Sequence, residues 1–206
     1  MNGHLLKPEK PAEKRERNGM SDHDRTFRTA VTVGVSLDGF IARPDGDIDW
    51  LTSRGEQAGD TGYEAFMAGI DTLAMGRNTY EKVLTFGFWP YEGKRVAVLS
   101  GTLATDDPRV TVLPSLGALL AWLTAEGAEN VYVDGGRIVQ TFLREGLLDE
   151  LTVTTAPVLI GEGIPLFGGL AGRDIELTLR SAKALDGGFT QATYAVTAAA
   201  PSVRAG

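Results

Sequence analysis

Val131-Tyr-Val-Asp-Gly-Gly136, followed at once by Arg137-Ile-Val-Gln-Thr-Phe-Leu-Arg-Glu145, is the stretch that decides the fold. A β-branched run ends in two glycines, and a helical pattern begins directly behind them. Glycine lets a backbone come close to a ligand, and the first N–H groups of a helix have no intrahelical partner. A strand that turns straight into a helix in this way forms a phosphate cradle. A second junction of the same kind lies earlier: Thr72-Leu-Ala-Met75 reads as a strand, and Gly76-Arg-Asn-Thr-Tyr80 opens a helix. There Gly76 permits close approach, Arg77 offers forked donors, and the Thr79 hydroxyl adds to an anion nest. Taken singly, each junction also reads as a plain helix start or tight turn. Two of them, with a strand ending in Ser100-Gly-Thr102, point to a dinucleotide held across a sheet edge.

The pattern around these junctions alternates. Thr29–Val35 is strand-like and leads into a Gly/Asp/Pro-rich loop, Ser36 to Asp49, long enough to be a working loop. Tyr63, Phe66, Met67 and Ile70 have helical spacing. After the Arg77–Leu84 helix come strands at Arg95–Ser100 and Arg109–Leu113. Ser115 caps a helix carrying Leu116, Leu119, Leu120 and Leu123, which Gly127 stops; Gly146 stops the Ile138–Leu143 helix. Glu150–Ile160 reads as a strand broken by Pro157. Ile175–Ala184 and Phe189–Thr197 flank Asp186-Gly-Gly188, a hairpin signal. The fold class is therefore α/β: a mostly parallel central sheet, helices on both faces, and a C-terminal antiparallel hairpin. One domain is expected over residues 27–197. Residues 1–26, rich in charge and proline, read as a disordered leader, and residues 198–206 as a flexible tail.

Composition narrows the chemistry. With 206 residues, 43% of them hydrophobic, the chain can bury one substantial core. It has no cysteine and only two histidines, His4 and His23, both in the polar N-terminal stretch. Thiolate nucleophiles, disulfides, cysteine zinc sites and histidine-based triads are excluded from the globular part, no metal site is expected, and a reducing cytoplasm is the natural default. A net charge of −7 argues against nucleic acid as a partner. No apolar run reaches the roughly 18 residues of a membrane span, and the N-terminal stretch does not read as a secretory h-region. An enzyme so built must rely on carboxylates, hydroxyls, backbone groups or a borrowed cofactor.

The usual nucleotide motifs are missing: there is no G-x-G-x-x-G, and Gly87 to Gly93-Lys94 has the wrong spacing for a P-loop. Six segments in order do carry a resemblance. They are Val35-Ser-Leu-Asp-Gly-Phe-Ile-Ala42, Asp45-Gly-Asp-Ile-Asp-Trp50, Met75-Gly-Arg-Asn-Thr-Tyr-Glu81, Val98-Leu-Ser100, Val131–Gly136 and Pro157-Val-Leu-Ile-Gly-Glu-Gly163. From Phe27 to Thr197 the chain resembles the dihydrofolate-reductase-like superfamily, in the branch of the reductase domain of bifunctional riboflavin-biosynthesis deaminase-reductases.

The resemblance implies an NADPH-dependent reductase acting on a small molecule. By it, Gly76, Arg77, Thr79, Ser100, Gly135, Gly136 and Arg137 become cofactor residues. The glycine junctions bracket the pyrophosphate, and Ser100 lies toward the adenosine 2′-phosphate. A valine at Gly136 is then expected to abolish cofactor binding by filling the backbone–pyrophosphate approach. Catalytic acids are sought at Asp38, in the loop over nicotinamide and substrate; at Asp60, near the pterin-binding carboxylate of folate enzymes, with Glu64 one turn on; and at Glu162. Bland readings stand beside them: a turn at Asp38-Gly39, an N-cap at Asp60, and an exposed turn acid at Glu162. The implied substrate is 5-amino-6-(5-phosphoribosylamino)uracil. A dihydrofolate or pteridine reductase, and a non-catalytic NADPH-binding sensor, are the other readings. Apolar edges at Leu147–Leu151 and Pro157–Phe167 suggest a homodimer, as in riboflavin-type relatives.

Overall fold

The computed structural model describes residues 25–169 and 174–197. Strands β1 (Arg28–Ser36), β3 (Thr72–Gly76) and β4 (Arg95–Leu99) are the first three of the chain to enter the main sheet. Between β1 and β3 lie a short strand β2 (Phe40–Ala42), helix α1 (Asp49–Gly55) with a 3-10 turn behind it, and helix α2 (Tyr63–Gly69). Helix α3 (Arg77–Leu84) joins β3 to β4. Strand β5 (Thr111–Leu113), helix α4 (Leu116–Ala125), strand β6 (Asn130–Asp134) and helix α5 (Gly136–Arg144) follow. The chain closes with β7 (Glu150–Ala156), β8 (Ile164–Pro165), β9 (Leu177–Ala184) and β10 (Thr190–Val196).

The main sheet has the order β5-β4-β3-β6-β1-β7-β10-β9. Its first six strands are parallel; β10 runs antiparallel to β7, and β9 to β10. This is the architecture expected from the sequence. A separate ribbon pairs β2 with β8.

Strand periodicity explains the two cores. Side chains alternate across a strand, so Ala74, Ala97, Val131 and Val133 face Leu119, Leu123, Ile138 and Phe142 of α4 and α5. Leu73, Met75, Val96, Val98 and Tyr132 face the other way, onto Met67 of α2 and onto Tyr80 and Val83 of α3. Both faces of these central strands are thus covered, as buried parallel strands require. Ser115 caps α4 by accepting from Ala118 N–H at 3.2 Å.

Several boundaries differ from expectation. Helix α1 begins where the expected loop ends, at Asp49, in a stretch to which the sequence pattern assigns no element; it is seven residues long and buries only Trp50, so no apolar stripe announces it. Strand β7 ends at Ala156, just before Pro157, and β5 begins at Thr111. Arg25, assigned to the leader by composition, bonds Asp149 at 2.7 Å and the Leu147 carbonyl at 2.8 Å. Residues 1–24 of the expected leader, with both histidines, and the 198–206 tail lie outside the described residues. Leu147, Leu148 and Leu151 are core residues rather than a free edge. In the other expected edge, Pro157–Phe167, Leu159 and Phe167 are exposed; Leu177 and Leu179 of β9 are exposed as well, as are Leu37, Leu84, Phe86 and Phe88 elsewhere. Among the described residues no helix is long and apolar enough to cross a membrane.

Candidate functional site

The two glycine junctions are neighbours. Strands β3 and β6 pair directly, with Met75 opposite Asp134, so Gly76 and Gly135 leave the sheet side by side at its C-terminal edge. Helices α3 and α5 begin there, and neither N-cap supplies a side-chain hydrogen bond. Two sets of unsatisfied N–H groups therefore open onto one edge, an electrostatic setting that favours an anion. The space beside Gly76 is open: a Cβ built there would meet nothing within 4 Å.

The glycines serve different purposes. Gly135 has φ +106°, which L side chains rarely adopt, and a Cβ there would overlap the Thr79 hydroxyl. Thr79, from the first turn of α3, thus packs across onto the β6 junction and closes the two cradles into one. Gly136 corrects an expectation. Its Cβ side faces the Pro165 carbonyl at 3.1 Å and Ile41 Cδ1 at 3.0 Å, so it allows α5 to sit against the β2–β8 ribbon. A valine there would strike protein before it reached any ligand.

The remaining expected cofactor residues border the same edge. Arg77 is exposed; its guanidinium reaches Thr102 Oγ1 at 3.3 Å and Glu81 at 3.7 Å. Ser100, at the end of β4, accepts from Leu103 N–H at 3.0 Å and Thr102 N–H at 3.3 Å, leaving its own O–H to donate. Arg137, at the start of α5, is exposed. These residues follow the C-terminal ends of the adjacent strands β3, β4 and β6, and Arg77 reaches across to the segment after β4.

Of the three candidate acids, Asp38 bonds the turn that holds Glu162, and Asp60 belongs to a separate one. Asp38 accepts from Gly161 N–H at 2.7 Å and Ile160 N–H at 3.2 Å, so it ties the Ser36–Gly39 turn to the Pro157–Gly163 segment. Hydrogen bonding from Ser36, with those N–H groups, holds its carboxyl below the usual range. At neutral pH it is a carboxylate and carries no proton to give. Asp60 is exposed and accepts from Gly62 N–H at 2.7 Å, an Asx turn rather than a helix cap. The N-cap of α2 is Gly62, in the left-handed region. Glu64 and Glu162 are also exposed, Glu162 within the turn that Asp38 anchors.

The acid that sequence reasoning passed over is Asp134, inside the quoted motif. Alternation along β6 turns it to the side of Tyr132, opposite Val131 and Val133. It lies between Gly135 and three phenols. Tyr91 donates to Oδ2 at 3.5 Å, Tyr132 sits two residues back on the strand with its hydroxyl on the Thr32 carbonyl at 3.0 Å, and Tyr63 opens α2. Burial pushes the Asp134 carboxyl up to about 6, against the nearby phenols of Tyr132 and Tyr91 and the Gly135 N–H, which favour its charged form. Burial also raises the three phenols, and the Asp134 charge raises them further. The signal was a charged residue placed directly after the buried run Val131, Tyr132 and Val133. Carboxylic acids kept partly neutral at a ligand-facing edge are suited to donating a proton.

Comparison with known proteins gives this edge a context. Residues 29–190 match the family described as the RibD C-terminal domain. The protein YwjB of Bacillus subtilis (strain 168) is 40% identical over 161 residues, which cover 76% of this chain and 91% of that protein. A crystal structure from Shewanella sp. PV-4, named for riboflavin biosynthesis, superposes with a TM-score of 0.75 at 38% identity, covering 83% of this chain and 99% of that one. The dihydrofolate reductase of Enterococcus faecalis, solved with NADP(H), shares the fold, with a TM-score of 0.60 at 19% identity over 84% of this chain and 98% of its own.

Proposed function

Because the chain belongs to the RibD C-terminal domain family, we propose that it is an NADPH-dependent reductase of a small heterocyclic or phosphoribosylamino substrate. The observation that carries this reading is the pairing of two uncapped helix N-termini on adjacent strands, joined by the contact of Thr79 with Gly135. Such an edge fits a pyrophosphate: the α3 and α5 N–H groups bind its oxygens, Thr79 adds a hydroxyl, and Arg77 and Arg137 balance its charge. Ser100 and Arg77 reach toward a 2′-phosphate on the adenosine. The solved relative that holds NADP(H) supports the choice of cofactor.

NADPH, when bound, supplies the hydride. The chain's own work is to fix distance and orientation, exclude water, and furnish a proton. Asp134, next to the cradle and titrating close to neutrality, takes the proton-donor role earlier sought at Asp38, Asp60 and Glu162. Asp38 instead anchors the loop over the reacting end.

The leading substrate is 5-amino-6-(5-phosphoribosylamino)uracil, following the family. The folate-type reading is weaker, because Asp60 sits in an exposed turn ahead of α2 instead of on the helix. Loss of NADPH absorbance with the pyrimidine phosphate, and none with dihydrofolate, is the expected assay result. Turnover of dihydrofolate alone would reverse the substrate assignment. Tight NADPH binding without turnover on either would favour a sensor. We further propose a homodimer formed through the exposed Leu159, Phe167, Leu177 and Leu179.

A further inference from the structure

The Asp134 carboxyl lies near Tyr132 from its own strand and Tyr91 from the segment between α3 and β4, and its charge also reaches the Tyr63 phenol of α2. Of these, Tyr132 is committed to the Thr32 carbonyl. Tyr63 is 44% exposed, whereas Tyr91 is 4% exposed and aims its hydroxyl at Oδ2.

Tyr91 does not stand alone. Its ring meets Trp89 edge-on at 5.4 Å. The Arg109 guanidinium lies over the Trp89 ring at 4.3 Å from its centre, a cation–π contact. Arg109 is held by Asp107 through bonds of 2.7 and 2.8 Å, and Asp107 accepts from the Tyr80 hydroxyl of α3 at 2.9 Å. A continuous brace therefore runs from α3, through the loop before β5, to the hydroxyl above Asp134. A solvated loop needs none of these contacts.

We propose that Tyr91 is a positioning residue for Asp134: the Tyr80–Asp107–Arg109–Trp89 brace holds its hydroxyl on Oδ2 and thereby sets the protonation state in which the acid meets substrate. This inference deepens the reductase reading and rests on it for the identity of the reaction. Reduction of a C=N or C=O bond adds a hydride to carbon and a proton to nitrogen or oxygen. The Asp134 O–H bond breaks, the new N–H or O–H bond forms at the substrate, and the carboxylate recovers its proton from solvent. A hydrogen bond from Tyr91 favours the carboxylate, so it makes this proton easier to release. The 3.5 Å spacing is long, as catalytic hydrogen bonds often are before substrate binds.

The test reads the carboxyl directly and needs no ligand. The pH-dependent infrared band of a protonated carboxyl, taken on the full chain as wild type minus Asp134→Asn, isolates this one group. In wild type its midpoint is expected at about 6. In Tyr91→Phe, which removes the donor and keeps the ring, the midpoint should rise by roughly 0.5 to 1 pH unit. Trp89→Leu keeps the hydroxyl and loosens its brace, and should move the midpoint part of the way. With pyrimidine phosphate as substrate, the alkaline limb of kcat/KM should rise in the same direction while NADPH affinity stays unchanged. An unmoved midpoint in both variants overturns the proposal, as does a wild-type carboxyl titrating near 4. Failure to bind NADPH would instead overturn the reductase reading and leave the infrared result standing.

Discussion

Replacing Gly135 with alanine perturbs the junction at its tightest point, and the structure gives two separable costs. The first is backbone strain: at φ +106° a non-glycine residue is disfavoured by about 1–3 kcal/mol. The second is steric, because the new methyl overlaps the Thr79 hydroxyl and overpacking of this kind costs about 1–3 kcal/mol. Gly135→Ala should therefore destabilise the protein by about 2–6 kcal/mol, read as a shift in urea unfolding midpoint at unchanged slope. Thr79→Ala in that background removes the hydroxyl and should restore the steric part alone. The backbone part should persist. Any of the first loss that is taken up by moving α3 would displace the cradle, so NADPH affinity should fall at least tenfold in the single variant. A loss under about 0.5 kcal/mol, or no recovery in the double variant, would show that Thr79 does not close the two junctions together.

Three further outcomes follow from the same geometry. Gly136→Ala, crowding the Pro165 carbonyl and Ile41, should lower stability by about 1–3 kcal/mol with NADPH affinity per folded molecule largely retained, which thermal melting with and without cofactor will separate. Arg77→Ala should leave the melting temperature nearly unchanged, since its pair with Glu81 is exposed, while weakening NADPH about tenfold or more in a fluorescence titration. Asp134→Asn should trade activity for stability. A carboxyl raised from 3.8 to about 6 by folding loses stability as pH rises through that window, and the loss is complete above about pH 6. The asparagine variant lacks this penalty, on the order of 3 kcal/mol, so its advantage in urea unfolding should be present at pH 7.5 and vanish at pH 4.

Much of this fold was legible in the chain because each β–α junction states its own boundary. An apolar run followed by Gly76 or by Gly135-Gly136 leaves little choice of where strand becomes helix. Ser115 and Gly127 mark α4 in the same local way. Helix α1 was not legible, since seven residues burying one tryptophan show no periodic stripe. Leu147 to Leu151 looked like an exposed edge because sequence records that a residue is apolar and not what covers it; α5 and the sheet do. Gly136 was read as room for a ligand, but the occupant of that room is Pro165, far along the chain. Asp134 was in view within its motif. Its enclosure depends on Tyr91, 43 residues away, and on Tyr63 in another helix, pairings that no local pattern records.

Titrating the full chain with NADPH, followed by energy transfer from its tryptophans to the bound nicotinamide and by calorimetry, tests the shared cradle most directly. One saturable site per chain is predicted, weakened by Arg77→Ala and by Gly135→Ala, and indifferent to Asp60→Asn. No saturable binding by either method, or binding untouched by changes at both glycine junctions, would contradict it.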